Sequence, residues 1–569
     1  MARIVVDPVT RIEGHLRIEA QVDGGTIADS WSSGTMFRGL ELVVRNHDPR
    51  EAWYWIQRIC SVCTVVHALA SVRAVENAWE IEIPENARIV RNLLAGAQLI
   101  HDHVVHFYHL HALDWVDITS ALKADPAKTS QIANSLSNWD RSGANHFKEV
   151  QQRVQSLVQS GQLSLFASGY WGHPAYHLPP EINLLAVSHY LDALEFQREF
   201  IQIHAVLGGK NPHPQSFLVG GMSTVMDPGS PQAVINPERI SFLKERIENG
   251  QRFVREVYLP DVVAIAGYYP EWFHQGEAIG NFLSYGGYRE TASDDPSAYF
   301  MPAGIIRDRN VGAVHSFSSE KITEFIDRSW YRYDGDKVAN HPFEGQTLPN
   351  YTGPKPPYDY LDVEQKYSWL KAPRYDNEVM ELGPLARLVV AYASGRSDVV
   401  SAVDSLLNQL RLPKEALFST MGRVAARALE TRLIAERMSD WLDALSTNMN
   451  RGVLQMHNPA RWSPDTWPRS SRGFGRDEAP RGSLGHWVEI EDGKIKNYQV
   501  VAPSTWNASP RDANGKRGPY EASLIGLKVA DPERPLEILR TIHSFDPCLA
   551  CAVHVFDGKG RRFTQWKAV

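Results

Sequence analysis

Residues 544–554 read SFDPCLACAVH, and residues 58–76 read RICSVCTVVHALASVRAVE. These two stretches decide how the chain folds, because they contain all four of its cysteines: Cys60 and Cys63 in one, Cys548 and Cys551 in the other. Each pair is followed closely by a histidine, His67 and His554. A Cys-x-x-Cys spacing brings two sulfurs close enough to clasp one metal ion, and soft thiolates suit late transition metals. Zinc modules keep their pairs about 15–20 residues apart, whereas nearly the whole chain separates these two, which disfavours a local structural zinc site. Thiol–disulfide exchange is disfavoured as well, since the short βαβ context of that chemistry is missing. Inert core cysteines would not fall into two spaced pairs. The leading reading is one four-thiolate site at which the two ends meet, so residues 1–554 are read as a single interlocked unit.

Working outward, the 569 residues, 43% hydrophobic, can bury a large core. A net charge of −7 with scattered Lys and Arg gives no basic footprint, so no nucleic acid is expected as a partner. The start, MARIVVDPVTRIEGHLRIEAQVDGG, enters a strand without a signal segment, and no 18 apolar residues run together. The chain is expected neither to direct its own export nor to span a bilayer.

Apolar spacing around the first cysteine pair reads as a helix with Cys63 and His67 on one face, the cysteines near its start, where the dipole favours thiolate, and Arg58 adding positive charge. GHWVEIEDGKIKNYQVVAPSTWN alternates as two strands around Asp492-Gly493 and enters a Pro-Ser-Thr turn. Periodic segments at 86–112, 185–207, 236–258, 380–410 and 413–447 predict a mainly α fold with small β hairpins or sheets near both termini and long loops at 265–310 and 328–378. In HDHVVHFYHLH (101–111), His103, His106 and Tyr108 or His109 recur at helical spacing, but the aromatic content favours a packed helix over a metal site. GGKNPHPQ (208–215) lacks the order of a phosphate loop.

Taken with DPVTRIEGH (7–15), GTMFRGLE (34–41), HDHVVHFYHLHALDWVD (101–117), GYWGHP (169–174), GGKNPHPQ, EAPRGSLGHW (478–487) and VVAPSTWNASPRD (500–512), the two cysteine boxes resemble the large, catalytic subunit of membrane-bound uptake-type nickel–iron hydrogenases, nearly end to end. The resemblance implies the helical core of that family and the heterolytic cleavage, and reversible formation, of dihydrogen. It implies nickel on four thiolates, with Cys60 and Cys548 terminal and Cys63 and Cys551 bridging to an iron that carries carbon monoxide and cyanide. By the same resemblance the Cys548 sulfur accepts the first proton and Glu13 passes it on. Arg481 lies over the open metal face, held by Asp102 and Asp546. His67 donates to the Cys551 sulfur, and Pro480, Pro503 and Ser504 surround the diatomic ligands. Magnesium is implied at Glu41, the Val500 carbonyl and His554.

All four sulfurs are then used, so iron–sulfur clusters must sit in a small partner subunit. Its signal is expected to carry the folded pair to the periplasmic side of the cytoplasmic membrane, to a membrane cytochrome or quinone-linked acceptor. The resemblance also implies maturation proteins and an endopeptidase that removes VFDGKGRRFTQWKAV (555–569) after His554, from a precursor made in the cytoplasm. Read alone, that tail is a strand, a turn at Asp557-Gly558 and another strand. The sequence departs from the family at Ser61, where glycine is usual: serine is costly if its φ is positive and harmless otherwise. A dihydrogen sensor with the same cofactor, a subunit that has lost its metal and a non-catalytic four-thiolate scaffold are the alternatives; the removable tail argues against the sensor and the full cysteine set against the second.

Overall fold

The computed structural model describes residues 2–161, 166, 169–335, 337–355 and 357–552. His554, the expected cleavage point and the tail lie outside the described residues. Long helices form the body: Val66–Trp79, Glu85–Val105, Pro180–Phe200, Pro237–Phe253 and Thr420–Asn450. Their starts follow local chemistry. Asn236 caps the fourth, its side chain accepting from Arg239 N, with Pro237 at the first position; Ser419 caps the last through Gly422 N. Glu85–Val105 is buried nearly all round, as expected of a helix packed on every side. It crosses Thr420–Asn450 at Gly96, where a Cβ would lie 3.2 Å from Met438 and Trp441.

Three strands, Ala2–Val6, Leu16–Asp23 and Thr26–Gly34, make an antiparallel sheet at the N-terminus. Ser470–Ala479, Gly482–Glu491 and Lys494–Val501 make another near the C-terminus. Its second turn is at Asp492-Gly493 as expected, with φ of 48° and 72°, the paired positive values that a two-residue hairpin requires. Strand Ser470–Ala479 packs its backbone directly on the Val66–Trp79 helix: a side chain at Gly473 or Gly475 would collide with the carbonyls of Ala74 and Ala70. The N-terminal sheet packs on the C-terminal helices, with Leu16, Ile18 and Ile27 against Tyr520, Leu524 and Ile542.

Several expected boundaries move. The segment 265–310 is not one loop, since Phe282–Gly287 and Met301–Ile306 pair in it as a hairpin. Both strands are buried on both faces, which erases the alternation that reveals a half-buried strand. Residues 328–378 carry further short strands, including Ala372–Tyr375, which pairs with Ile322–Phe325, so small sheets also occur mid-chain. The 380–410 segment splits into Pro384–Ala393 and Ser397–Leu410 at Gly395, whose φ is 75°. The next helix begins only at Thr420. No helix among the described residues is long and apolar enough to cross a membrane.

Candidate metal centre

The N-terminal box is looped rather than helical at its cysteines. Cys60 is extended (φ −142°, ψ 132°) after a short turn at Gln57–Ile59, and the helix starts only at Val66. Cys63 and His67 therefore do not share a helical face; Cys63 lies in the loop, its amide donating to Cys60 Sγ at 3.2 Å. The apolar periodicity had another origin, since this loop is threaded through the main core. Ser61 is exposed and its φ is not positive, so serine is unstrained there; its hydroxyl lies 3.1 Å from His213 Nε2 in the GGKNPHPQ loop.

The C-terminal box meets it in the middle of the protein. Cys60 Sγ lies 3.5 Å from Cys548 Sγ, and Cys551 Sγ lies 3.0 Å from both Cys63 and Cys548 Sγ. All four sulfurs are buried, unbridged by disulfides and within 4.8 Å of one another. Burial raises all four thiols. Against it, hydrogen bonds from Cys548, Cys551 and Cys63 and the Arg481 charge carry Cys60 well below an ordinary thiol, while Cys63, Cys548 and Cys551 stay raised. Four buried sulfurs this close together form a donor set that suits a thiophilic metal, whose charge favours the thiolates.

Glu13 is brought in by its backbone. Its amide donates to Pro547 O at 3.4 Å, and its carbonyl accepts from Leu549 N at 2.6 Å, which lays RIEGH alongside the Cys548 segment. Gly14 makes this approach possible: its φ is +84°, and a Cβ there would lie 2.5 Å from Ala550 N. Burial and the Cys60 thiolate raise the Glu13 carboxyl, opposed by Arg481 and Arg38.

Arg481, also buried, is held as expected: Nη1 donates to Asp102 Oδ2 at 3.0 Å and Nη2 lies 3.1 Å from Asp546 Oδ1. Ser504 Oγ accepts from Cys548 N at 3.0 Å. A small cavity of ≈ 10 Å³ is lined by Cys63, Cys548, Cys551, His67, Arg481, Pro503 and Ser504. Val66, Ala479 and Leu484 complete the lining, and no sequence signal singled them out. Pro480 is not in the lining; its carbonyl accepts from Arg387 Nη2 at 3.1 Å. His67 makes its hydrogen bond to another histidine rather than to Cys551: Nδ1 is 3.1 Å from His486 Nε2, and His486 Nδ1 is 2.8 Å from Tyr498 Oη. Burial lowers the His67 imidazole to about 4, so it is neutral.

Glu41 is buried, and Oε1 accepts at 2.6 Å from the amide of Val500. Thr347 donates to Glu41 Oε2, and Lys371 bridges Glu324 (3.0 Å) and Gln499 (2.9 Å) close by. Burial raises both Glu41 and Glu324. Two buried acids thus face one lysine, leaving room for a further cation at oxygen donors. The histidine-rich helix is structural: His103 pairs with Glu430 at 2.9 Å, and His106 and His111 reach the carbonyls of His543 and Arg540.

Comparison with known proteins agrees with this geometry. A nickel-dependent hydrogenase family model matches residues 38–554, and a HoxL-like model matches residues 3–30. The uptake hydrogenase large subunit of Bradyrhizobium diazoefficiens is 50% identical over 99% of this chain and 97% of its own length. The hydrogenase-1 large chain of Escherichia coli K12 is 47% identical over 98% and 96%. Among solved structures, the reduced Ni-Fe-Se hydrogenase of D. vulgaris Hildenborough superposes with a TM-score of 0.76 at 33% identity, covering 97% of this chain and all of that one.

Proposed function

The chain belongs to the large-subunit family of nickel-dependent hydrogenases, and from that membership we propose that Cys548, Glu13 and Arg481 handle the proton and the charge in its reaction. It is an oxidoreductase acting on dihydrogen; its four cysteines form a nickel–iron site, and it pairs with a small subunit. When bound, the metal pair supplies the heterolytic cleavage of dihydrogen. Cys60 and Cys548 would hold nickel, and Cys63 and Cys551 would hold both nickel and iron.

In this reading Cys548 Sγ holds the released proton and Glu13 takes it. The backbone pairing of Glu13 with the Cys548 segment supports this, as does its raised carboxyl, which can bind a proton and give it up again. Arg481, kept charged by Asp102 and Asp546, presents fixed positive charge at the cavity, in a site where water does not screen it. Ser504 Oγ accepts from the Cys548 amide and lines the cavity. Its hydroxyl would donate to a cyanide ligand of the iron, and Pro503, Ala479 and Leu484 would enclose carbon monoxide. By the same reading Glu41, the Val500 carbonyl and His554 would hold magnesium. The small subunit carries the iron–sulfur clusters, and the pair works on the periplasmic side of the cytoplasmic membrane, passing electrons to a cytochrome or quinone-linked acceptor. Maturation proteins load the metals, and an endopeptidase cuts the cytoplasmic precursor after His554.

One observation carries this reading: four buried sulfurs from opposite ends of the chain lie within 4.8 Å of one another, with a carboxylate-held arginine at the same cavity. The test is metal analysis, intact mass and infrared spectroscopy of the chain purified with its small subunit from a maturation-competent host. About one nickel per chain, cyanide and carbonyl stretches and a mass ending at His554 support it. Zinc alone, no such stretches and an intact tail overturn it.

A further inference from the structure

Gln98 lies one turn before Asp102 on the Glu85–Val105 helix and is buried. Its Nε2 is 2.9 Å from Val62 O and 2.6 Å from Asp102 Oδ1, so the two amide hydrogens serve two acceptors at once. Val62 lies between Cys60 and Cys63 in the cysteine loop, next to Cys63. Asp102 keeps its other oxygen for Arg481 Nη1 at 3.0 Å, and His101 Nδ1 approaches Oδ1 at 3.3 Å. Arg481 in turn reaches Asp546, two residues before Cys548. A single side chain thus ties the N-terminal cysteine loop to the carboxylate that aims the guanidinium.

Packing alone does not account for it. Gln98 Oε1 is buried with no hydrogen-bond partner, so the two acceptors on its nitrogen account for the polar side chain. The residue uses only its nitrogen. We propose that Gln98 is a positioning residue of the hydrogenase site: it sets the Arg481 guanidinium relative to the Cys60–Cys63 loop by holding Val62 O and Asp102 Oδ1 in one register. The inference rests on the assignment of Arg481 to the cavity over the metals.

The test is a double-mutant cycle of Gln98→Met and Asp102→Asn in the heterodimer from a maturation-competent host, with nickel content, infrared stretches, melting midpoint and dihydrogen oxidation per nickel measured for each. Gln98→Met is expected to load nickel, shift the cyanide or carbonyl stretches, and lose about 10- to 100-fold in turnover per nickel through misplacement of the guanidinium; the loss of the amide from its two acceptors lowers the melting midpoint. Combined with Asp102→Asn it should lose no more than Asp102→Asn alone. Turnover within twofold of wild type, unshifted stretches or losses that multiply in the double variant each overturn the proposal. Should Gln98→Met mature poorly, Gln98→Asn, which keeps the amide on an arm too short for both partners, is put through the same cycle with the same criteria. A wild-type chain without nickel or stretches would instead defeat the assignment of the site, and is read separately.

Discussion

Replacing Arg387 by methionine should cost about 3–5 kcal/mol at neutral pH, most of which acidification should restore. Arg387 is fully buried on the Pro384–Ala393 helix. It donates to both oxygens of Glu430 (2.5 and 2.7 Å), to Glu478 Oε2 (2.9 Å) and to the carbonyls of Ala479 (2.8 Å) and Pro480 (3.1 Å), just before Arg481. Removing one partner of a buried ion pair typically costs about 3–5 kcal/mol because the remaining charge is left unpaired. A second route agrees. Burial would raise the Glu430 carboxyl, but Arg387 and His103 together hold it at about 2 instead of 4.5, which favours its charged form by about 3 kcal/mol at neutral pH.

The sign with pH follows. In the wild type Glu430 is depressed, so its contribution is complete above about 4.5 and lost only as pH falls toward 2; between pH 5 and 8 it is constant. Without Arg387, burial raises Glu430, and raises Glu478 further than it already is, so the variant is favoured at low pH and loses stability as pH rises. Burial holds His103, the remaining partner, at about 4, so it is neutral through this window. The assay is amide hydrogen exchange along Thr420–Asn450 in the heterodimer. At pH 7.5 the amides around Glu430 should exchange on the order of 100-fold faster than wild type after correction for intrinsic rates, and the ratio should shrink at pH 5.5. A rise below about threefold at pH 7.5, or a larger deficit at pH 5.5, would refute the reasoning.

Glu13→Gln preserves the shape and backbone pairing of the loop but removes the proton acceptor, so dihydrogen oxidation per nickel should fall by about 10²–10⁴ at unchanged nickel content; a loss under threefold means the proton leaves elsewhere. Gly14→Ala forces a Cβ to within 2.5 Å of Ala550 N at a φ of +84°, and should lower nickel per chain and shift the infrared stretches of what matures. Full loading with unshifted stretches would contradict the close approach. Glu521 is buried, accepts from Tyr367 Oη at 2.8 Å, and burial raises its carboxyl to about 7 against Ser32 N–H and Arg511. The folded protein therefore holds this proton more tightly than the unfolded chain, and wild-type stability should decline as pH rises from about 4.5 through 7. Glu521→Gln should flatten that decline, as read from denaturant midpoints at pH 5 and 8; an unchanged slope would rule Glu521 out as its source.

What could be read from the sequence was local or carried by familiar motifs. The Asp492-Gly493 turn was legible because only such residues accept two successive positive φ values, and the cysteine pairs because a two-residue spacer already places two sulfurs together. Arg481, Asp102 and Asp546 were placed by resemblance, and the structure brings them into contact. The misreadings share a cause. Burial of Cys60, Cys63 and Val65 made their loop look like a helical face, and burial on both faces hid the hairpin strands Phe282–Gly287 and Met301–Ile306.

By itself, then, the sequence determined the chemistry on offer: four paired thiols, a carboxylate and an arginine in recognisable boxes, and a mainly helical chain between them. Tertiary structure decided how these groups are aimed. Gln98 on a buried helix, Arg387 between two acids, and Lys371 between Glu324 and Gln499 have no neighbouring residues that announce them. The physical reason is range. Covalent geometry relates residues a few positions apart, so their spacing is written in the chain, whereas the partner of a buried charge is chosen by the packing of the entire core, where an unpaired charge is costly and each contact depends on every other.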